Sequence, residues 1–341
     1  MSEKSLSMEM GNLICRFGNE KVLLDMSDEI VLPCFFDEKL VRSYNKTSYF
    51  FHEVNPVLLH NGTSESVVGI AGRFIKDTTL EREQIFKEGK GLVKDAGSMR
   101  SSPSAIFLLI LNNHRLIYVK ETKDAPSKES FRSTLLSFLR DKHKGYIESE
   151  FERFKAMREE DPNSERVTKK DLYEAIPRPT LELIPLTSED SIEEFVRKYS
   201  ILKTIEISLS DRNDENDNDP FFEELQKRKD AIGSTNSIVK HNNSKGLDKD
   251  EAISEIAEAT EQGNQNVKLA GIDNEGDILR GNNEKFQLRK PLEDLSYQPV
   301  NAAHDLYESF VGLVEDGLVK IPETSQKAKA IVESLVQRLF K

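Results

Sequence analysis

Residues 104–122, SAIFLLILNNHRLIYVKET, constrain the fold more tightly than any other stretch of the chain. Two apolar, β-branched runs flank Asn112-Asn113, residues that tolerate the positive φ angles of a tight turn, so the segment reads as a β-hairpin. Its first arm holds the longest apolar run, AIFLLIL at 105–111. That is far short of the roughly 20 residues a membrane helix needs. A chain of 341 residues has ample length to bury a sizeable core around such a hairpin.

The rest of the first third also reads as strands: GNLICRF, KVLLDM and IVLPCFF, then SYFFHEV and SVVGIAGRFI. A helix is expected from Thr79 through LEREQIFKEGKGLVKDAG. Another begins near Lys128, with Phe131, Leu135, Phe138 and Leu139 at helical spacing, and resumes beyond Gly145 with Ile147, Phe151, Phe154 and Met157. EEDPNSERVTKK (159–170) reads as a charged connector. The second half alternates strand and helix: LELIPL, SEDSIEEFVRKY capped by Ser188, LKTIEISLS, PFFEELQKRKDA, NSIVKHNN and DKDEAISEIAEAT. NVKLAGIDNEGDILRGNNEKFQLRK then forms a hairpin turning at 274–277, and helices close the chain near 299–318 and 325–340. The expected class is α+β, with mixed or antiparallel sheets and flanking helices in two lobes. These are a β-rich lobe at 1–144, a helical, charged connector at 145–178, and a second α+β lobe at 179–341.

No catalytic signature stands out. EGKGLVKDAGS (88–98) lacks the Gly-Lys-Ser/Thr of a phosphate loop, and NGTSES lacks the second Gly of a nucleophile elbow. The six histidines show no metal spacing, and no convergent acids with a Glu-x-Lys point to a metal-dependent nuclease. Acids crowd LSDRNDENDNDPFFEEL (209–225). An EF-hand starting at Asp211 needs Gly and Glu where Asn216 and Phe222 stand. DENDNDPFF (214–222) is similar to the DxNDNxPxF calcium linker of cadherins. A helix entrance accounts for it instead, with Asp219 as cap, Pro220 in the first turn and anions facing the positive helix end. No metal or cofactor is expected, and the chain reads as a binding protein more than an enzyme. Cys15 and Cys34 stand apart without partners, and MSEKSLSMEMGN lacks the pattern of a signal peptide, so a cytoplasmic setting with reduced thiols is expected.

A net charge of −12 weighs against a strongly basic nucleic-acid binder, yet phosphates answer to local charge rather than to the total. Basic residues concentrate on the helix that begins near Lys128 and on the connector: Arg132, Arg140, Lys142, Lys144, Lys155 and Arg158 are the candidate phosphate contacts there. Arg280, Lys285, Arg289 and Lys290 decorate the late hairpin and form a second candidate cluster. Solvated helix and hairpin faces are the plain alternative.

The order of elements resembles the RexA phage-exclusion proteins of temperate phages over most of residues 45–318. The resemblance rests on SYFFHEV…VVGIAGRFIKDT (48–78), the hairpin 103–122 followed by FRSTLLSFL, and LELIPLTSEDSIEEFVRKYSILKTIEISLS (181–210) leading into DPFFEELQKRKDAIG. It rests above all on VKLAGIDNEGDILRGNNEKFQLRKPL (267–292). This chain departs from the family in a longer 142–178, a longer acidic loop at 210–219 and an extra C-terminal helix. The resemblance implies a cytoplasmic homodimer that binds double-stranded DNA with little sequence preference. It would be the sensing half of an anti-phage exclusion system whose partner is a small integral-membrane effector. The alternatives are an acidic protein–protein interaction module without nucleic acid, and a metal-dependent nuclease.

Overall fold

A 12-residue strand, β1 (Leu6–Phe17), is the hub of a ten-stranded antiparallel sheet. The computed structural model describes residues 6–61, 66–210, 212–213, 220–322 and 324–340. After β1 come β2 (Lys21–Val22), α1 (Leu32–Phe36), β3 (Arg42–Tyr44), β4 (Thr47–Asn61), β5 (Ser66–Lys87) and β6 (Gly91–Ser101). Then follow β7 (Ser104–Ile110), β8 (Arg115–Lys120), α2 (Lys128–Glu160), α3 (Lys169–Ala175), β9 (Pro179–Pro185), α4 (Glu189–Val196) and β10 (Tyr199–Leu209). The remainder is α5 (Pro220–Ala231), β11 (Ser237–Asn242), α6 (Lys249–Thr260), β12 (Gln265–Asp273), β13 (Ile278–Asn282), β14 (Arg289–Leu292), α7 (Pro299–Glu315) and α8 (Gln326–Leu339). The fold is α+β.

The larger sheet runs β14-β1-β8-β7-β5-β4-β3, with β2 and β9 also on β1 and β6 on β5. Strands β9 and β14, from beyond the connector, thus join the sheet of the first third, while β11-β10-β12-β13 form a separate four-stranded sheet. Both faces of the larger sheet are covered, which is why β7 reads as a continuous apolar run rather than an alternating one. Phe107 and Leu109 face the side of α1, α2 and α8; Ile106, Leu108 and Ile110 face the side of α7. Phe131 of α2 sits at the centre of the first core, its ring 5.2–5.5 Å from those of Phe51, Phe74 and Phe107. The small sheet packs on α4 and α6 through Ile192, Phe195, Ile253 and Ile256. Phe195 lies so close to β13 that a Cβ on Gly281 would stand 2.2 Å from its ring. Among the described residues, no helix is long and apolar enough to cross a membrane.

Three local expectations are corrected. The stretch from Thr79 is no helix: β5 and β6 pair over it as a long antiparallel ribbon, Thr78↔Ser101 to Lys87↔Gly91. Its many Glu, Arg, Gln and Lys residues favour a helix, but Gly89 and Gly91 take φ of 77° and 69° and turn the chain back on itself. KVLLDM and IVLPCFF form only a two-residue strand before 3-10 and π turns at 23–31 and α1. Pro33 sits in the first turn of α1, where its missing N–H costs nothing. The asparagines of the first hairpin do not supply the left-handed residue; His114 does, with φ 56°. Asn112 instead accepts from Val68 N and donates to Ser66 O, tying the turn to β5.

Candidate nucleic-acid interface

Helix α2 organises the basic residues. Ser127 caps it, its hydroxyl accepting from Ser130 N, and Glu129 adds an anion to the first turn. Phe131, Leu135, Phe138 and Leu139 recur at helical spacing and are buried on the sheet, followed by His143 and Ile147. Gly145 does not interrupt the helix. Beyond Ile147 none of its residues is buried, so the last three turns stand out from the body. Glu150–Arg153 at 2.5 Å, Glu148–Lys169 at 2.6 Å and the Lys169 ammonium 5.0 Å over the Phe151 ring brace this outer part.

Arg140 and Lys144 lie one turn apart and line a pocket of about 380 Å³ with Asp141, His143, Tyr173 and Arg178. Arg178 is held between Pro177 and Pro179 at the entry to β9, its guanidinium 5.9 Å from the centre of the Tyr173 ring. Arg140, Lys144 and Arg178 are exposed, and none makes an ion pair among the described residues. His143 forms the floor, its Nε2 2.8 Å from Ile176 O. Burial pushes its pKa down from the ordinary histidine range, and the nearby Arg178 pushes the same way. The imidazole is therefore held neutral, with Nε2–H donating to the carbonyl. Such a pocket offers three cations against one carboxylate, an arrangement suited to phosphate oxygens. At 100° per residue, Lys155 and Arg158 project from the same side of α2 as Arg140 and Lys144. From Arg140 to Arg158 the helix rises about 27 Å.

The other expected contacts are placed differently. Arg132 is held by Glu129 at 2.5 Å and donates to Leu181 O, Lys142 pairs with Asp37 at 2.6 Å, and Lys155 lies 3.7 Å from Glu152. The four residues expected on one hairpin are spread over two sheets. Arg280 is exposed on β13, Lys285 lies on the turn after it, and Arg289 and Lys290 belong to β14. Arg289 is 3.5 Å from Glu9, and Lys290 donates to Ser309 O at 3.2 Å. Arg280 and Lys285, like Arg158, have no ion pair among the described residues.

These residues sit near the N-terminal end of α2, because Lys128 bonds Gln287 and lies 3.6 Å from Glu284. Between the two sheets, at that end, is a cleft of about 490 Å³ whose charged lining is Glu129, Glu182 and Glu284 against Arg132 and Lys268. Carboxylates outnumber cations there, so the cleft suits phosphate less well than the pocket does. The ten expected residues therefore do not share one concave surface; the pocket keeps Arg140 and Lys144, with Lys155 and Arg158 farther along the helix. Arg178 was not among them. Its position between two prolines in a connector gave no periodicity that could align it with α2.

Asp211 and residues 214–219 of the acidic loop lie outside the described residues. Among the described residues, no group of three or more His, Cys, Asp or Glu is arranged to hold a metal ion. Pro220 does open α5. No protein-family model and no curated protein matches the chain.

Proposed function

We propose that the chain is a non-catalytic, sequence-nonspecific binder of double-stranded DNA, acting as a component of an anti-phage exclusion system. The observation that supports DNA binding is the pocket of Arg140, Lys144 and Arg178, three cations with no ion pair among the described residues on the flank of a projecting helix. Arg158 continues this face with no such ion pair, and Lys155 has only an exposed contact at 3.7 Å. Exposed pairs of that kind are worth under about 1 kcal/mol and yield readily to a phosphate. Binding through phosphates alone needs no helix that reads base edges. The homodimer, the cytoplasmic setting and the small integral-membrane effector rest on the resemblance to the RexA proteins.

Fluorescence anisotropy with several unrelated duplexes tests this reading. Five phosphate contacts give a slope of log K against log salt of about −4.5, a loss of several hundred-fold (roughly) between 50 and 200 mM salt. All duplexes are expected to bind alike. Absence of binding at the lower salt, or strong preference for one sequence, refutes the proposal.

A further inference from the structure

The ribbon of β5 and β6 takes no part in the pocket. Beyond Thr78, which still pairs with Thr47 of β4, β5 pairs only with β6, and the two strands reach about 30 Å from the sheet. Its side chains are asymmetric. Leu80 pairs with Met99 and Phe86 with Leu92, and the register puts all four on one face. They are exposed, Phe86 by 73% and Leu92 by 67%. A water-exposed phenylalanine opposite a leucine at the tip of a thin arm adds only one weak cross-strand pair to the ribbon and nothing to the buried cores.

Charge at the tip completes the pattern. Residues 84–94 carry Lys87, Lys90 and Lys94 against Glu88 alone. None of those lysines makes an ion pair among the described residues. Of the carboxylates lower on the ribbon, Glu81 is engaged with Lys46 at 2.5 Å and Asp95 with Arg82 at 3.0 Å, while the exposed Glu83 makes no ion pair among the described residues. The end of the arm therefore presents the exposed Phe86–Leu92 pair on one face, backed by the half-buried Ile85–Val93 pair on the other and framed by these lysines. Lys90 N donates to Lys87 O at 3.0 Å, closing a tight turn narrow enough to enter a groove.

We propose that this tip inserts into a groove of duplex DNA. Phe86 and Leu92 wedge against a base step, Lys87, Lys90 and Lys94 meet the phosphates on either side, and the duplex bends. The inference rests on the DNA-binding reading and gives it a second point of contact. Apolar wedges on arms of this kind act by partly unstacking a step, a sequence-tolerant mode that needs no hydrogen-bond readout. Duplex DNA fits better than the other occupants of an exposed apolar patch. The four exposed apolar side chains of this face are split into two pairs by Arg82 and Gln84, which is less than the roughly 800 Å² per partner of a stable dimer and less than the continuous apolar face an interfacial membrane segment needs.

The test uses the full-length protein, a duplex of about 30 base pairs with a fluorophore at each end, and the double variant F86S/L92S. Both positions are exposed, so the variant should match the parent in melting temperature. The parent is expected to shorten the end-to-end distance by energy transfer. The variant should bind roughly ten-fold more weakly with an unchanged salt slope and no change in energy transfer. If the parent binds but does not bend DNA, and the variant binds equally well, the arm inference fails while DNA binding stands. If the parent binds no duplex at all, the DNA-binding reading fails first and the inference with it. Two parallel measurements name the competing occupants. Sedimentation with phosphatidylglycerol vesicles that depends on Phe86 and Leu92 overturns the proposal in favour of a membrane. A fall in mass by light scattering on F86S/L92S overturns it in favour of a second copy.

Discussion

Neutralising the pocket should change the salt dependence of DNA binding by an amount set by how many cations no longer meet a phosphate. The triple variant R140Q/K144Q/R178Q removes three cations that make no ion pair among the described residues, so no carboxylate there is stranded. Each phosphate contact contributes about 0.9 to the slope, so the slope should become shallower by about 2.7 relative to the parent. Between 50 and 200 mM salt, the variant should then lose about forty-fold less affinity than the parent loses. All three side chains are exposed, so the melting temperature should be preserved. Anisotropy titrations at four salt concentrations, with circular dichroism of both proteins, give the slopes and the fold check. The comparison variant is R280Q/K285Q, which alters equally exposed cations beyond the acidic cleft and should leave the slope unchanged. A folded triple variant with the parent's slope refutes the assignment. A slope that falls only in R280Q/K285Q refutes the argument that the pocket suits phosphate better than the cleft side does.

Two further outcomes follow from buried residues of α2. F131A empties the centre of the aromatic cluster, where the side chain is fully buried among Phe51, Phe74, Phe107 and Tyr118. It should cost about 3–5 kcal/mol in urea unfolding, and a loss under about 1 kcal/mol refutes the packing described. His143 has a folded-state pKa below its ordinary 6.5, so the unfolded chain binds the proton more readily. The stability it contributes is present above about pH 6.5 and is lost as pH falls below that value. H143Q keeps a donor for Ile176 O and should flatten the urea midpoint between pH 7 and 5, and an unchanged pH profile refutes the role.

Much of the architecture was legible because the relevant signals are local. The period of Phe131, Leu135, Phe138 and Leu139 gave α2, and the alternation after residue 180 gave β9 through β13 nearly in place. The arm was misread because its composition is that of a helix, and its Leu80, Arg82, Gln84, Phe86 alternation faces water on both sides. With no buried face, strand periodicity has nothing to mark. The basic clusters were legible as composition but not as geometry. Arg132 and Lys142 looked equivalent to Arg140 and Lys144 in sequence, yet their neutralising partners include Asp37, about a hundred positions away. The hairpin cluster dissolved for a related reason: after Asn282 the chain leaves the small sheet and pairs with β1, carrying Arg289 and Lys290 with it.

A chain with 60 acidic residues against 48 basic ones can hold a polyanion only if distance or screening separates the two signs. The fold supplies the distance. Glu129, at the cleft, and Arg140, in the pocket, lie on the same helix about 16 Å apart along its axis. That is twice the Debye length of about 8 Å at physiological ionic strength. Over such a span the cleft carboxylates contribute little to the potential at the pocket, while Arg140, Lys144 and Arg178 line one pocket and act together there. The excess of acid then works on orientation instead. On the proposed reading, the long-range repulsion of the acidic surface favours approaches that bring a duplex to the cationic flank of α2 or to the lysines of the arm.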